Sequence, residues 1–144
     1  MRTYSFLAAL ALLGAAPAGP LHAQHIGAGV HFGGPVRASL ALGAVWEEER
    51  TGDNGHGAML IAEPGLRGHR LSAGYFVTRG TLGQYASIRA TGLALRSDEW
   101  RQYAGLDLQV QPLFAFGGRL GAFVPLKSGQ SRRLLWIADV SIGL

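Results

Sequence analysis

The chain closes on Leu134-Leu135-Trp136-Ile137-Ala138-Asp139-Val140-Ser141-Ile142-Gly143-Leu144, and the parity of this stretch decides the fold class. Leu134, Trp136, Ala138, Val140, Ile142 and Leu144 share one parity, and all are apolar. Leu135, Ile137, Asp139, Ser141 and Gly143 share the other, which holds a carboxylate and a hydroxyl. A β-strand sends successive side chains to opposite faces, so this alternation is that of a strand with one apolar and one mixed face.

The same period recurs upstream. Val36, Ala38, Leu40, Leu42, Ala44 and Trp46 alternate with Arg37, Ser39, Ala41, Gly43 and Val45. Leu71, Ala73, Tyr75 and Val77 alternate with Arg70, Ser72, Gly74, Phe76 and Thr78. Ala104, Leu106, Leu108 and Val110 alternate with Gly105, Asp107, Gln109 and Gln111. Turn signals separate the runs: Gly33-Gly34-Pro35, the long polar stretch Glu47–His56, Arg67-Gly68, Arg79–Gly83, Ser97–Glu99, Gly117-Gly118 and Lys127–Arg132. About eight strands are predicted: His25–Phe32, Val36–Trp46, Gly57–Leu66, His69–Thr78, Gln84–Arg96, Trp100–Leu113, Arg119–Leu126 and Arg133–Leu144. In Gln84–Arg96 the apolar parity changes between Ala90 and Leu93, so a bulge at Thr91-Gly92 is expected.

Two architectures share this alternation. In a soluble sandwich or lipocalin-like barrel the apolar face is the core. In a membrane barrel it faces lipid and the other face fills the interior. The second face here is mostly Gly, Ser, Ala and Gln, with one charge in most strands: Arg37, Glu63, Arg89, Asp107, Arg119 and Asp139. Three charges of each sign suit a closed interior in which guanidinium and carboxylate pair. The apolar face has no charge at mid-strand, as hydrocarbon demands. The expected fold is therefore all-β, an antiparallel up-and-down transmembrane barrel of about eight strands, with those six residues as its interior charge network.

Ahead of the strands, Met1–Ser5 carries one positive charge, and Phe6–Ala16 is an unbroken run of apolar and small residues. Pro17–Pro20 and Leu21-His22-Ala23 follow, which completes the pattern of a secretory signal peptide cleaved after Ala23. Eleven apolar residues make a helix of roughly 16 Å, against a hydrocarbon core of ~30 Å, so a membrane anchor is disfavoured. Residues 24–144 then form the barrel. Eight membrane strands of ~9–11 residues fit that length with room for turns. This part carries 12 basic and 9 acidic residues, a surplus too small and too dispersed along the sequence to argue for nucleic acid. The absence of Cys from the chain excludes disulfides, thiolate metal sites and cysteine nucleophiles.

On these features the chain resembles the small eight-stranded outer-membrane barrels of Gram-negative bacteria, the OmpA-transmembrane-domain and OmpX type. The resemblance rests on the leader, on period-two strands from Gln24 onward and on a strand running to Leu144. It is a likeness of class, without a specific motif. Barrels of that class usually end in an aromatic residue, where this chain has Leu144. The resemblance implies a cell outer membrane location, a monomer, and membrane lipid, lipopolysaccharide and the outer-membrane assembly machinery as partners. With both termini in the periplasm, Glu47–His56 falls on the periplasmic side.

Candidate chemistry is thin, and no catalytic motif, cofactor or metal site is expected. His69 and Ser72 lie three apart in a strand and so point to opposite faces. Glu63 and Ser72 are near enough to meet across a hairpin, depending on its register. His25 and His31, six residues apart, are ~20 Å apart along a strand, too far to share an ion. Gly27-x-Gly29 and Gly33-Gly34 precede no helix and make no phosphate loop. The expected function is that of a non-enzymatic outer-membrane barrel of structural or surface-interaction role without a general pore. Two alternatives stay open: a soluble periplasmic lipocalin-like barrel holding a small apolar ligand, and a lipid-modifying outer-membrane hydrolase.

Overall fold

A computed structural model describes residues 24–80, 83–113, 115–127 and 133–143. Residues 1–23, read from sequence as a signal peptide, and Leu144 lie outside the described residues. Eight strands follow one another: β1 (Gln24–Gly33), β2 (Arg37–Thr51), β3 (Asn54–Gly65), β4 (Gly68–Arg79), β5 (Gln84–Arg96), β6 (Trp100–Leu113), β7 (Phe116–Pro125) and β8 (Leu135–Gly143). Each pairs antiparallel with its neighbours in sequence, and β1 pairs with β8, so the sheet closes into an up-and-down barrel. Closure leaves the sheet without a full-length open edge.

The parity of the sequence is the inside and outside of this wall. Ala41, Met59, Ile61, Phe76, Leu93, Phe123 and Ile137 are buried. So are nearly all the polar residues of the same parity, from Ser39 and Glu63 to Asp139 and Ser141. The opposite parity is exposed: Leu40, Leu42, Leu60, Val77, Ile88, Leu106, Leu108, Leu120, Val124, Trp136 and Val140 all point away from the barrel. Interior glycines let the wall curve. A Cβ on Gly57 would lie 2.0 Å from the Trp46 carbonyl oxygen, and one on Gly105 2.0 Å from that of Ala122, so neighbouring strands close in only because these residues have none.

Two local expectations are corrected. The bulge at Thr91-Gly92 is absent: β5 pairs without interruption with β4 and β6. Thr91, Leu93 and Leu95 all stay on the inner parity, and the change in pattern marks where the interior itself turns from polar to apolar. Leu93 packs there with Val36, Phe123 and Ile137, against Leu95, Tyr103 and Leu135. The polar stretch Glu47–His56 is not a long loop. β2 and β3 keep pairing as far as Thr51 and Asn54 around Gly52-Asp53, with Gly52 at φ 62° and a register shift between Glu47 and Glu49. The strands pass beyond the apolar belt without ceasing to be strands, because backbone pairing needs no apolar side chain.

Candidate functional site

The hairpin turns between β1 and β2, β3 and β4, β5 and β6, and β7 and β8 lie at one end of the barrel, the turn rim. The ends of the chain lie at the other, the terminal rim. Between them the interior is layered. The Leu93 and Phe123 cluster fills the turn end. A second apolar cluster, Ala41, Met59, Ile61 and Phe76 with Val45 and Tyr85, fills the side formed by β2 to β5 nearer the terminal rim. The charged groups lie between.

The centre of that middle layer is Glu63 on β3. Its carboxylate accepts from Arg119 Nη1 at 2.5 Å, from His31 Nδ1 at 2.9 Å and from Ser39 Oγ at 3.5 Å. A carboxylate only accepts, so the His31 proton sits on Nδ1. Arg119 reaches Asp139 with its other nitrogens, Nη2 at 2.7 Å and Nε at 3.1 Å. Arg70 Nη1 donates to the same Asp139 oxygen at 2.5 Å and lies 3.7 Å from Glu63. Two carboxylates and two guanidiniums thus form one closed cluster, with the His31 imidazole at its edge. Arg89 and Asp107 form a second pair at 2.6 Å. Thr91 donates to Asp107 and stands 2.8 Å from Ser72 Oγ. Below these, Gln109 Nε2 donates to Ser141 and Gln111 Nε2 to the Gly143 carbonyl.

Of the six residues read from sequence as the interior network, Glu63, Arg89, Asp107, Arg119 and Asp139 are buried inside the barrel. Arg37 is a correction: it is exposed at the turn rim. It is the first residue of β2 and takes a left-handed backbone (φ 68°), which turns the side chain out, while Val36 fills the interior position. Arg70 takes the third cationic place, so the interior still holds three charges of each sign. His31 and Arg70 are the members that sequence reasoning missed. Their signal was available, since Arg70 shares parity with Ser72 and Phe76 and His31 with Gly29 and Gly27.

The remaining candidates separate. Glu63 is paired in register with Arg70, and Ile61 with Ser72, so Glu63 and Ser72 are not partners. His69 is exposed and its ring lies 5.2 Å from that of Trp100, while Ser72 is buried on the inner face. His25 is exposed and His31 is committed to Glu63. Outside the wall near the terminal rim, Tyr75 Oη lies 2.5 Å from His56 Nδ1 and 3.4 Å from Glu48 Oε2. This ties β2, β3 and β4 together where the apolar belt ends, a place suited to an amphipathic aromatic ring.

Such an interior can brace the wall and neutralise its own charges. Every carboxylate in it is held by at least one guanidinium, and the turn end is filled by hydrocarbon. Comparison with known proteins gives no match: no family model, no curated protein and no solved structure matches the chain.

Proposed function

We propose that this chain is an integral outer-membrane β-barrel of structural or surface-interaction role, without enzymatic activity and without a general pore. The observation that carries this reading is the inversion of the barrel. Its large apolar side chains form a belt on the outside, with Ile88 and Leu106 each 57% exposed and Val140 58%. Its mid-strand charges are all inside. A monomeric soluble protein rarely exposes more than a few hundred Å² of contiguous apolar surface, and an apolar belt that encircles the whole barrel is what lipid covers. A lipocalin-like reading asks for the reverse, a polar outside around an apolar cavity. A hydrolase reading asks for an accessible histidine beside a nucleophile, whereas His69 and Ser72 lie on opposite faces, and His31, which is paired in register with Ser39 and Ser141, is buried with them and bound to Glu63. The filled interior speaks for a scaffold rather than a conduit.

The test is export and folding. Expressed with its leader in a Gram-negative host, the protein is expected in the outer-membrane pellet, soluble only in detergent. It should migrate differently on gels with and without boiling. Recovery from the periplasmic supernatant without detergent would overturn the reading.

A further inference from the structure

The basic surplus of the chain is dispersed in sequence, but the fold gathers it. Arg37, Arg67, Arg96, Arg101, Lys127 and Arg133 are all exposed, and all lie at the turn rim. They come from every one of the four hairpin connections there, so they encircle the barrel rather than forming a patch on one side. The β5–β6 connection brings the rim's described carboxylates, Asp98 and Glu99. Among the described residues no ion pair joins any of the six cations to a carboxylate. Among the described side chains the terminal rim has the opposite character, with Glu47, Glu48 and Asp53 against Arg79.

The height of the collar is as telling as its sign. Four of the cations are direct sequence neighbours of an exposed large apolar residue: Leu66 precedes Arg67, Trp100 precedes Arg101, Leu126 precedes Lys127 and Leu134 follows Arg133. Three of the four turns therefore place a hydrocarbon-seeking group and a cation side by side, at the level where the apolar belt gives way to water; the β1–β2 turn contributes Arg37 alone. Long basic side chains beside aromatic and aliphatic anchors are the groups that settle at a lipid headgroup layer. A soluble polyanion would be met by a patch on one face. A ring of cations at the edge of an apolar belt matches a ring of anions in the same plane.

The geometry points to the turn rim as a collar that recruits phosphate-bearing anionic lipid headgroups of the leaflet in which the hairpin turns emerge. This rests on the membrane reading above and adds to it which leaflet chemistry the barrel prefers and at which end. Attraction of basic residues to an anionic leaflet is electrostatic and is screened by salt.

The three tryptophans supply the readout. Trp100 and Trp136 point outward at the turn rim, and Trp46 stands on the outer parity toward the terminal rim. The full chain is refolded into phosphatidylcholine vesicles containing a minority of brominated phosphatidylglycerol or, in parallel, brominated phosphatidylcholine. In a Trp46→Phe protein, only the turn rim reports. Brominated phosphatidylglycerol should quench it as if enriched about threefold over its share of the lipid, with the enrichment vanishing near 1 M salt, where the Debye length is about 3 Å. A Trp100→Phe/Trp136→Phe protein, reporting Trp46, should show no enrichment. The combined change Arg67→Gln, Arg96→Gln and Arg101→Gln, placed in the Trp46→Phe protein, lies outside the barrel interior and should abolish it without loss of folding. Equal quenching by the two brominated lipids in the Trp46→Phe protein overturns the proposal while leaving the membrane reading intact. So does enrichment that survives the triple substitution. If that protein shows no headgroup preference yet binds immobilised polyphosphate, the collar serves a soluble polyanion and the proposal falls. Failure to insert into any vesicle overturns both readings together.

Discussion

Arg119 holds two carboxylates at once, Glu63 through Nη1 and Asp139 through Nη2 and Nε. Removing it leaves Asp139 to Arg70 and leaves Glu63 with the His31 imidazole and a longer contact to Arg70. Loss of one partner from a buried ion pair costs about 3–5 kcal/mol. Arg119→Met is therefore expected to lower the free energy of unfolding by that amount, read from urea titrations of the protein refolded in lipid. Arg37→Gln, at the exposed rim, should change it by no more than about 0.5 kcal/mol. Equal losses at the two positions would contradict the interior assignment. The same contrast explains why the sequence pattern misplaced Arg37. Parity places a residue on a face only while the strand is regular, and φ 68° at a turn breaks that rule.

At the scale of a strand, the outer and inner faces make opposite demands. Val140 on β8 is 58% exposed and stands in the apolar belt, beside Gly118 on β7 and Phe32 on β1. In water, a carboxylate at so exposed a position is harmless. In hydrocarbon it costs on the order of 2–3 kcal/mol. Val140→Asp should therefore reduce the fraction that folds into vesicles, read by the shift on unboiled gels, and full folding of this variant would argue for a barrel that lives in water. A second test concerns the close approach of strands. Gly105 on β6 has the Ala122 carbonyl oxygen where a Cβ would sit, so Gly105→Ala must push β7 away, at a cost of about 1–3 kcal/mol in the same titration. The strand pairs differ in extent as well. The described pairing of β1 with β8 runs over Gly29–Gly33 and Asp139–Gly143, while β4 and β5 pair from Gly68–Leu95 to Arg79–Gln84. Amides facing the β1–β8 seam are expected to exchange with deuterium before those between β4 and β5; the reverse order would place the weakest seam elsewhere.

For the whole molecule, the filled interior has a functional consequence. Val36, Leu93, Phe123 and Ile137 close the turn end, and the paired charges occupy the layer beneath. An eight-stranded barrel is just wide enough for side chains to fill it. Purified protein in a planar bilayer should therefore carry no steady single-channel current. Reproducible large steps would mean that the interior packing opens or that chains assemble around a shared path.

The strands are legible in the sequence because a period of two, repeated between turn signals, is a local property that each run states by itself. The inner face is legible as well, since small residues and sign-balanced charges on one parity, with no mid-strand charge on the other, leave little choice of which side faces inward. What the sequence determined alone, then, is the eight-stranded alternation and most of the interior set, including Glu63, Arg89, Asp107, Arg119 and Asp139. Only the tertiary structure decided which guanidinium meets which carboxylate, because Arg119 and Glu63 lie 56 residues apart and their meeting depends on closure across the barrel. It also decided that Leu93 continues the inner face rather than following a bulge, since an interior can change from polar to apolar along its axis while the strand stays regular. And it gathered Arg37, Arg67, Arg96, Arg101, Lys127 and Arg133 onto one rim. A modest surplus spread along a linear chain becomes a ring because alternate turns of an up-and-down barrel all emerge at the same end.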